Sequence, residues 1–449
     1  MWDLVFSPSV WLCSPGILLR NCLDSCMNLF NWKKNDKFMN ILHVGRESMM
    51  KMKKKFVLAG LLAMCSLGSI IPASTQADDN PTPFADMRDH WAKQAVAKAI
   101  EKKYVDGYDD GSFRPENYVT GAEFLKMVVT ATKLPVSGNT TGADWYVPYV
   151  KAAVDKGYLR EDAINTDIVL TKPINRLQMA KIAVRATDPT LQQREVNLND
   201  QGAMFTATSK GLVQGLANGE LAPAGSTTRA QSVTIIERIL SVNSGEKLET
   251  DKLAISNAEL AFKKTNLFSM IPVFGGVQGE STTWSPDKLV LETADGKFKG
   301  QIDQVVVIDM ANPNDPNRGL LGDISGLHWF APGRKGEMPL IKDYPDSYVI
   351  LIQSHVDYVK DTQAYADNIG IGFSIYGFES PDRVALANGT LNTLAKIFKT
   401  RRGDVDAYIM PKSGYSVPKN DISIKLNAPA RPPVNDSTRT IVSIYVPEN

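Results

Sequence analysis

Two arginines occupy positions where a charge is awkward unless something binds it. Thr120 with Glu123, Asn175 with Gln178 and Thr228 with Gln231 stand in the relation of an N-cap to the third helical residue, the spacing of a capping box. The boxes account for the Thr, Asn, Glu and Gln positions on structural grounds. They leave Arg176 and Arg229, each one residue after its cap, unexplained. A cation at a first helical position faces the positive end of the helix dipole, which is mildly unfavourable. It makes sense if an anion binds, because free backbone N–H groups, dipole and guanidinium then converge on one carboxylate or phosphate. The first box carries Gly121 at this position.

A second place where chemistry is conceivable is His355-Val356-Asp357, which ends an apolar run and is followed by Asp367-Asn368. A His-x-Asp at a strand end faintly resembles the first ligands of zinc aminopeptidases, and a two-metal site would need further carboxylates and histidines. His328 is the other histidine of this half, the Glu-Glu pair of such sites is absent, and no Gly-x-Ser-x-Gly elbow occurs. A solvent-facing His and Asp at alternate strand positions is the simpler reading. The expectation is therefore no enzyme, no metal and no cofactor, with a hydrolase whose chemistry lies in residues 255–449 as the alternative.

The boxes sit in a repeat. Positions 121, 176 and 229 are 55 and 53 residues apart. The first unit, about 84–134, reads Phe84-Ala85-Asp86, His90-Trp91-Ala92, a helical stretch, then Gly107-Tyr108-Asp109-Asp110-Gly111-Ser112-Phe113-Arg114-Pro115 before its box. The second, about 142–188, starts at Asp144-Trp145-Tyr146, and the third, about 196–242, at Asn199-Asp200. Each reads as helix, loop, helix. In the first helix Trp91, Ala95 and Ala99 share a stripe beside Ala92, Val96 and Ile100, so one face is buried. One such pair cannot cover that face alone, and three should pack on each other.

The Phe-x-Asp start, His-Trp-Ala, Gly-Tyr-x-Asp-Gly-x-Phe-Arg-Pro and Thr-Arg-Ala-Gln together resemble the S-layer homology (SLH) domain family over about residues 84–242. The resemblance implies an all-α pseudo-threefold bundle whose inter-repeat grooves hold an anionic, often pyruvylated, secondary cell-wall polysaccharide. It passes the acid-binding role to Arg176 and Arg229, with Asp86, Asp144 and Asp200 as groove residues. Trp91 and Trp145 fit either stacking on sugar faces or a place in the core. Gly121 departs from the family pattern. Its groove is expected to be weak unless Arg114 or Lys126 reaches in, and Gly121→Arg is expected to tighten binding at unchanged or higher stability.

The rest of the chain bounds this reading. A length of 449 residues suggests two or three compact units. A formal net charge of +1, with the basic excess near the N-terminus, gives no reason to expect nucleic acid as partner. Lys53-Lys54-Lys55, the apolar run from Phe56 to Cys65 and the small residues ending at Ala77 make a secretory signal peptide over 49–77, too short an apolar core for a stable membrane span. Bulky Met64 before Cys65 argues against a lipobox. Residues 1–48 are expected to be a mis-assigned extension, with Met49, Met50 or Met52 as the true start. All four cysteines lie before residue 78. A linker is expected at 243–254 and a β-rich domain, all-β or α+β, at 255–449. Its strands are expected at 288–292, 304–309, 348–353, 370–376, 407–410, 422–426 and 440–446, with one helix near 391–399. This suggests a structural or adhesive domain on display at the cell surface, with self-association left open.

Overall fold

The computed structural model describes residues 84–367, 369–434 and 438–447, so the signal peptide, the extension and Asn368 lie outside the described residues. Among the described residues, six helices of nine or more residues frame the first part: α1 (Lys93–Glu101), α2 (Gly121–Ala131), α3 (Val147–Lys156), α4 (Arg176–Ala186), α5 (Asp200–Ser209) and α6 (Arg229–Asn243). Helices α2, α4 and α6 each begin at a full capping box, with Thr120, Asn175 and Thr228 accepting the third amide and Glu123, Gln178 and Gln231 returning the bond. Each box satisfies two otherwise orphaned donors, which fixes where the helix starts.

The residue before each cap joins the three pairs. Val119 N donates to Thr227 O at 3.1 Å, Thr227 N to Ile174 O at 2.9 Å, and Ile174 N to Val119 O at 2.8 Å. All three residues are buried. One bond from each pair closes the ring, so no pair can leave without stranding buried backbone groups of the other two. Around the ring α2 packs on α3, α4 on α5, and α6 returns to α1. A single hydrophobic cluster runs through all six helices, from Val96 and Ala99 to Ile236 and Ile239. Trp91 is not on its expected stripe: α1 begins at Lys93, so Trp91 precedes the helix and is 62 % exposed.

Most of the stretch expected as a linker, residues 244–251, is non-helical, with helix at its two ends. α6 continues to Asn243, and α7 (Lys252–Lys263) starts after a short connection. Asp251 caps α7 through Leu253 N and Ala254 N, and its other carboxylate oxygen accepts Gly215 N at 3.2 Å. The α7 backbone approaches Gly219 so closely that a Cβ there would lie 2.5 Å from Leu253 C. At its far end Glu259 is buried and accepts Ser269 N. Helix α7 is thus a strut shared by both parts, and the described residues pack as one unit.

Beyond it, among the described residues, lie ten strands: β1 (Val277–Gln278), β2 (Val290–Glu292), β3 (Phe298–Asp309), β4 (His328–Trp329), β5 (Ser347–Val359), β6 (Gly372–Tyr376), β7 (Ala395–Phe398), β8 (Ala407–Pro411), β9 (Asp421–Asn427) and β10 (Thr438–Tyr445). They form antiparallel sheets of order β1-β10-β9-β6 and β2-β3-β5-β8-β7-β4. Val305, Val307, Ile350 and Ile352 face one core with Ile422, Ile424 and Ile444, while Val306, Ile308, Val349 and Ile409 face another. With both faces of its centre buried, the larger sheet needs continuous apolar runs, which is why β3 and β5 read so plainly in the sequence.

The helix expected near 391–399 is a strand. In β7 Ala395 and Ile397 point into the core and Lys396 and Phe398 do not, a period of two imposed by pairing with β8. The helix lies earlier, α8 (Arg383–Ala387), capped by Asp382.

Candidate functional site

The start of each second helix was expected to offer free N–H groups to an anion, and it does not. Arg229 N and Ala230 N donate to Asn117 O and Pro115 O at 2.8 and 3.0 Å. Arg176 N and Leu177 N donate to Gly225 O and Pro223 O at 2.9 and 3.0 Å, and Gly121 N and Ala122 N to Lys172 O and Leu170 O at 3.0 and 2.9 Å. The third amide is taken by the cap. The loop of the next pair around the ring consumes the donors, and what remains for a ligand is the guanidinium.

Two grooves form at the junctions that hold an arginine. The first, about 510 Å³, is lined by the 103–108 loop, by Glu123, Lys126 and Thr130 of α2, by Trp145 and Tyr149 of the next pair, and by Arg229 of the preceding one. The Arg229 guanidinium donates to Asp106 O and lies over the rings of Phe113 and Tyr108, 4.6 and 5.2 Å from their centroids. Its Nε is buried without a partner. Lys126 Nζ stands 5.6 Å from the Trp145 ring centroid. Tyr104, on the same wall, donates to Glu237 at 3.0 Å, and burial and then that carboxylate push its pKa up. It stays a neutral donor.

The second groove, about 280 Å³, repeats the first at equivalent positions: Val213, Gln214, Gly215 and Leu216 from the loop, Gln231, Thr234 and Arg238 of α6, Trp91 of the pair that closes the ring, and Arg176 of the preceding pair. Arg176 is 7 % exposed, donating from Nε to Leu221 O and from Nη2 to Gln214 O, both at 2.8 Å. Burial lowers its pKa. Both tryptophans therefore stand at groove walls, and the core alternative fails for Trp91.

The third junction is built differently. A Cβ on Gly121 would lie 2.9 Å from Ile168 Cδ1, so the buried side chain of Ile168 crowds the space where an arginine side chain would begin. Adding an arginine here would require Ile168 to shift. Lys181, equivalent to Lys126 and Thr234, is held by Asp167 at 2.8 Å and Asp200 at 2.7 Å. Neither expected substitute reaches Gly121. Lys126 belongs to the Arg229 groove, and Arg114 pairs with Asp110 at 2.8 Å and covers the Tyr108 ring.

The three aspartates do not share a role. Asp86 accepts Phe113 N and Arg114 N and so shapes the glycine-rich loop. Asp144 is exposed and contributes its carbonyl to Val147 N. Asp200 is the first residue of α5, capped by Asn199. None of them lines either arginine groove. Arg238 escaped the sequence reading because it lies nine residues past Arg229 with no motif around it. The 53-to-55-residue repeat, extended to the second helix, was the signal that would have found it.

In the β-rich part His355 is an exposed strand residue, its Nδ1 2.8 Å from Asp303 and its Nε2 3.4 Å from Asp357, which also pairs with Lys299. His328, on the edge strand β4, bonds Met338 O and stacks on Phe398 of the neighbouring β7. Among the described residues, no group of three or more His, Cys, Asp or Glu is placed to hold a metal ion. No helix among the described residues is long and apolar enough to cross a membrane.

The S-layer homology domain family matches residues 83–125. An amylopullulanase of Thermoanaerobacterium thermosulfurigenes is 28 % identical over 176 residues, 35 % of this chain and 9 % of that protein. The S-layer protein sap of Bacillus anthracis is 25 % identical over 139 residues, 30 % of this chain and 16 % of that protein. The surface-layer 125 kDa protein of Lysinibacillus sphaericus is 24 % identical over 225 residues, 46 % of this chain and 18 % of that protein. The chain thus spans less than a fifth of the length of each of these relatives. Carrying an S-layer homology domain and resembling S-layer proteins, the chain is a secreted protein of the cell surface or cell wall.

Proposed function

We propose that residues 84–242 are three S-layer homology repeats in a pseudo-threefold bundle that anchors the protein non-covalently to the cell wall. The ligand is an anionic, pyruvylated secondary cell-wall polysaccharide, held at the Arg229 and Arg176 grooves. The β-rich part is displayed as a structural or adhesive module with no catalytic role. The observation that carries this reading is recurrence: at two junctions a guanidinium from one pair, a tryptophan from another and loop backbone from the third line a single groove. An exposed indole beside a fixed cation suits a sugar ring bearing an acid, with the ring stacked and the acid bonded.

The test is binding of the full chain to purified wall polymer before and after its acid substituents are stripped. A charge-assisted contact of this type contributes about 1.5–3 kcal/mol, so Arg229→Gln should weaken affinity roughly tenfold or more. Binding that ignores both the stripping and the substitution would overturn the reading.

A further inference from the structure

The two arginine grooves differ in charge. The Arg229 groove counts Glu123 and Asp106 among its lining residues beside Lys103, Lys126 and Arg229, so one positive charge is left over. The smaller groove contains two guanidiniums, Arg176 and Arg238, and no carboxylate. The two meet at one residue: Arg176 Nη2 donates to Gln214 O at 2.8 Å and Arg238 Nη2 to Gln214 Oε1 at 3.0 Å. Their other acceptors, Leu221 O and Leu212 O, are neutral as well. Glu220 is the acid whose field reaches Arg176, and it is not within ion-pair distance of either arginine.

The arrangement is specific to this junction. At the position equivalent to Arg238 the first groove has Thr130. The third has Arg185, which feels the like charge of Arg160 but also the carboxylates of Asp167 and Asp162. Two part-buried cations with only neutral partners repel each other, and Arg238 is further disfavoured in its charged form by burial and by Arg176. Buried charge of one sign is a net cost until something neutralises it. One negative charge would leave a guanidinium uncompensated.

We propose that the Arg176–Arg238 groove takes a substituent carrying two negative charges, a phosphate monoester or two adjacent carboxylates, with the Trp91 ring as the platform for the sugar that bears it. The Arg229 groove, whose lining leaves one positive charge unmatched, takes a singly charged sugar. This inference rests on the anchoring reading and assigns its two grooves different ligands.

Calorimetric titration of the full chain with inorganic phosphate at pH 8, with malonate and with acetate separates the cases. The expected result is that phosphate or malonate binds at least tenfold more tightly than acetate, and which of the two does so identifies the source of the double charge. Arg238→Gln should abolish that preference and Arg229→Gln should leave it. Should Arg238→Gln fail to fold, Thr234→Glu is the second variant: it keeps both arginines, adds a competing carboxylate to the lining, and should abolish the preference equally. Equal affinity for acetate and the dianions, or a preference that survives both Arg238→Gln and Thr234→Glu, overturns the inference. Wall-polymer binding by the same proteins judges the two readings apart. A parent chain that binds polymer without a dianion preference keeps the anchoring reading and loses this one. A parent that prefers dianions but ignores polymer loses the anchoring reading alone.

Discussion

The helical region leaves the cations at its grooves without carboxylate partners, whereas several cations of the β-rich region have them. Lys126, Arg176, Arg229 and Arg238 take part in none of the ion pairs of the described residues, while Lys412 meets Asp309 at 2.8 Å, Lys297 meets Asp361 at 3.0 Å and His355 meets Asp303 at 2.8 Å. A charge already matched by a neighbour has little field left for a ligand, and a charge set on a concave wall without one keeps it. The junction at Gly121 falls on the β-rich side of this divide, since Lys181 is held between two aspartates and an isoleucine crowds the arginine's place. Recurrence of a fold unit therefore does not imply recurrence of its site.

The largest expected effect comes from forcing that third junction to look like the others. Gly121→Arg brings a Cβ to 2.9 Å from the end of the buried Ile168 side chain, and overpacking of this kind costs about 1–3 kcal/mol. Urea unfolding should show a lower midpoint at an unchanged slope. A variant as stable as the parent would mean that Ile168 can move aside, and the junction would then rank with the open grooves.

A somewhat smaller effect is expected at the strut between the regions. Asp251→Ala removes the cap of α7 and leaves Gly215 N without its acceptor, a loss of about 1–2 kcal/mol. Because Gly215 lines the Arg176 groove, the same variant should raise amide exchange at Gly215 and Leu216 as well as along α7. Exchange confined to α7 would show that the groove holds its shape without the strut.

The smallest effect concerns a charge that is paired. Hydrogen bonding to Asp303 raises the His355 pKa above the ordinary histidine value. The interaction favours the protonated ring, so its contribution is complete below the unfolded-state pKa of about 6.5 and is lost as pH rises through the higher folded value. An NMR titration should place His355 above that ordinary value, and Asp303→Asn should bring it down. A ring that titrates normally in the parent would remove the pair from the comparison.

Local chemistry made part of this molecule legible from its residues alone. Capping boxes are contacts between residues three apart, so Thr120, Asn175 and Thr228 announced three helix starts correctly. The apolar runs at 304–309 and 348–353 announced buried strands because both faces of their sheet are covered. The segment at 391–399 was misread because Ala395–Phe398 is too short to show its own period and takes it from β8.

What only the tertiary structure decided is which group reaches which groove. The sequence placed Arg176 and Arg229 at the first turn of a helix, but nothing local could tell that Leu170, Pro223 and Pro115 bring carbonyls to the neighbouring amides and remove them from use. Nor could it tell that Ile168, 47 residues after Gly121, crowds the space where an arginine would begin, or that Arg238 and Arg176 converge on Gln214. Such contacts join residues of different repeat units. They depend on how three helix pairs close around one ring of backbone bonds, and no local pattern of residue types encodes that closure.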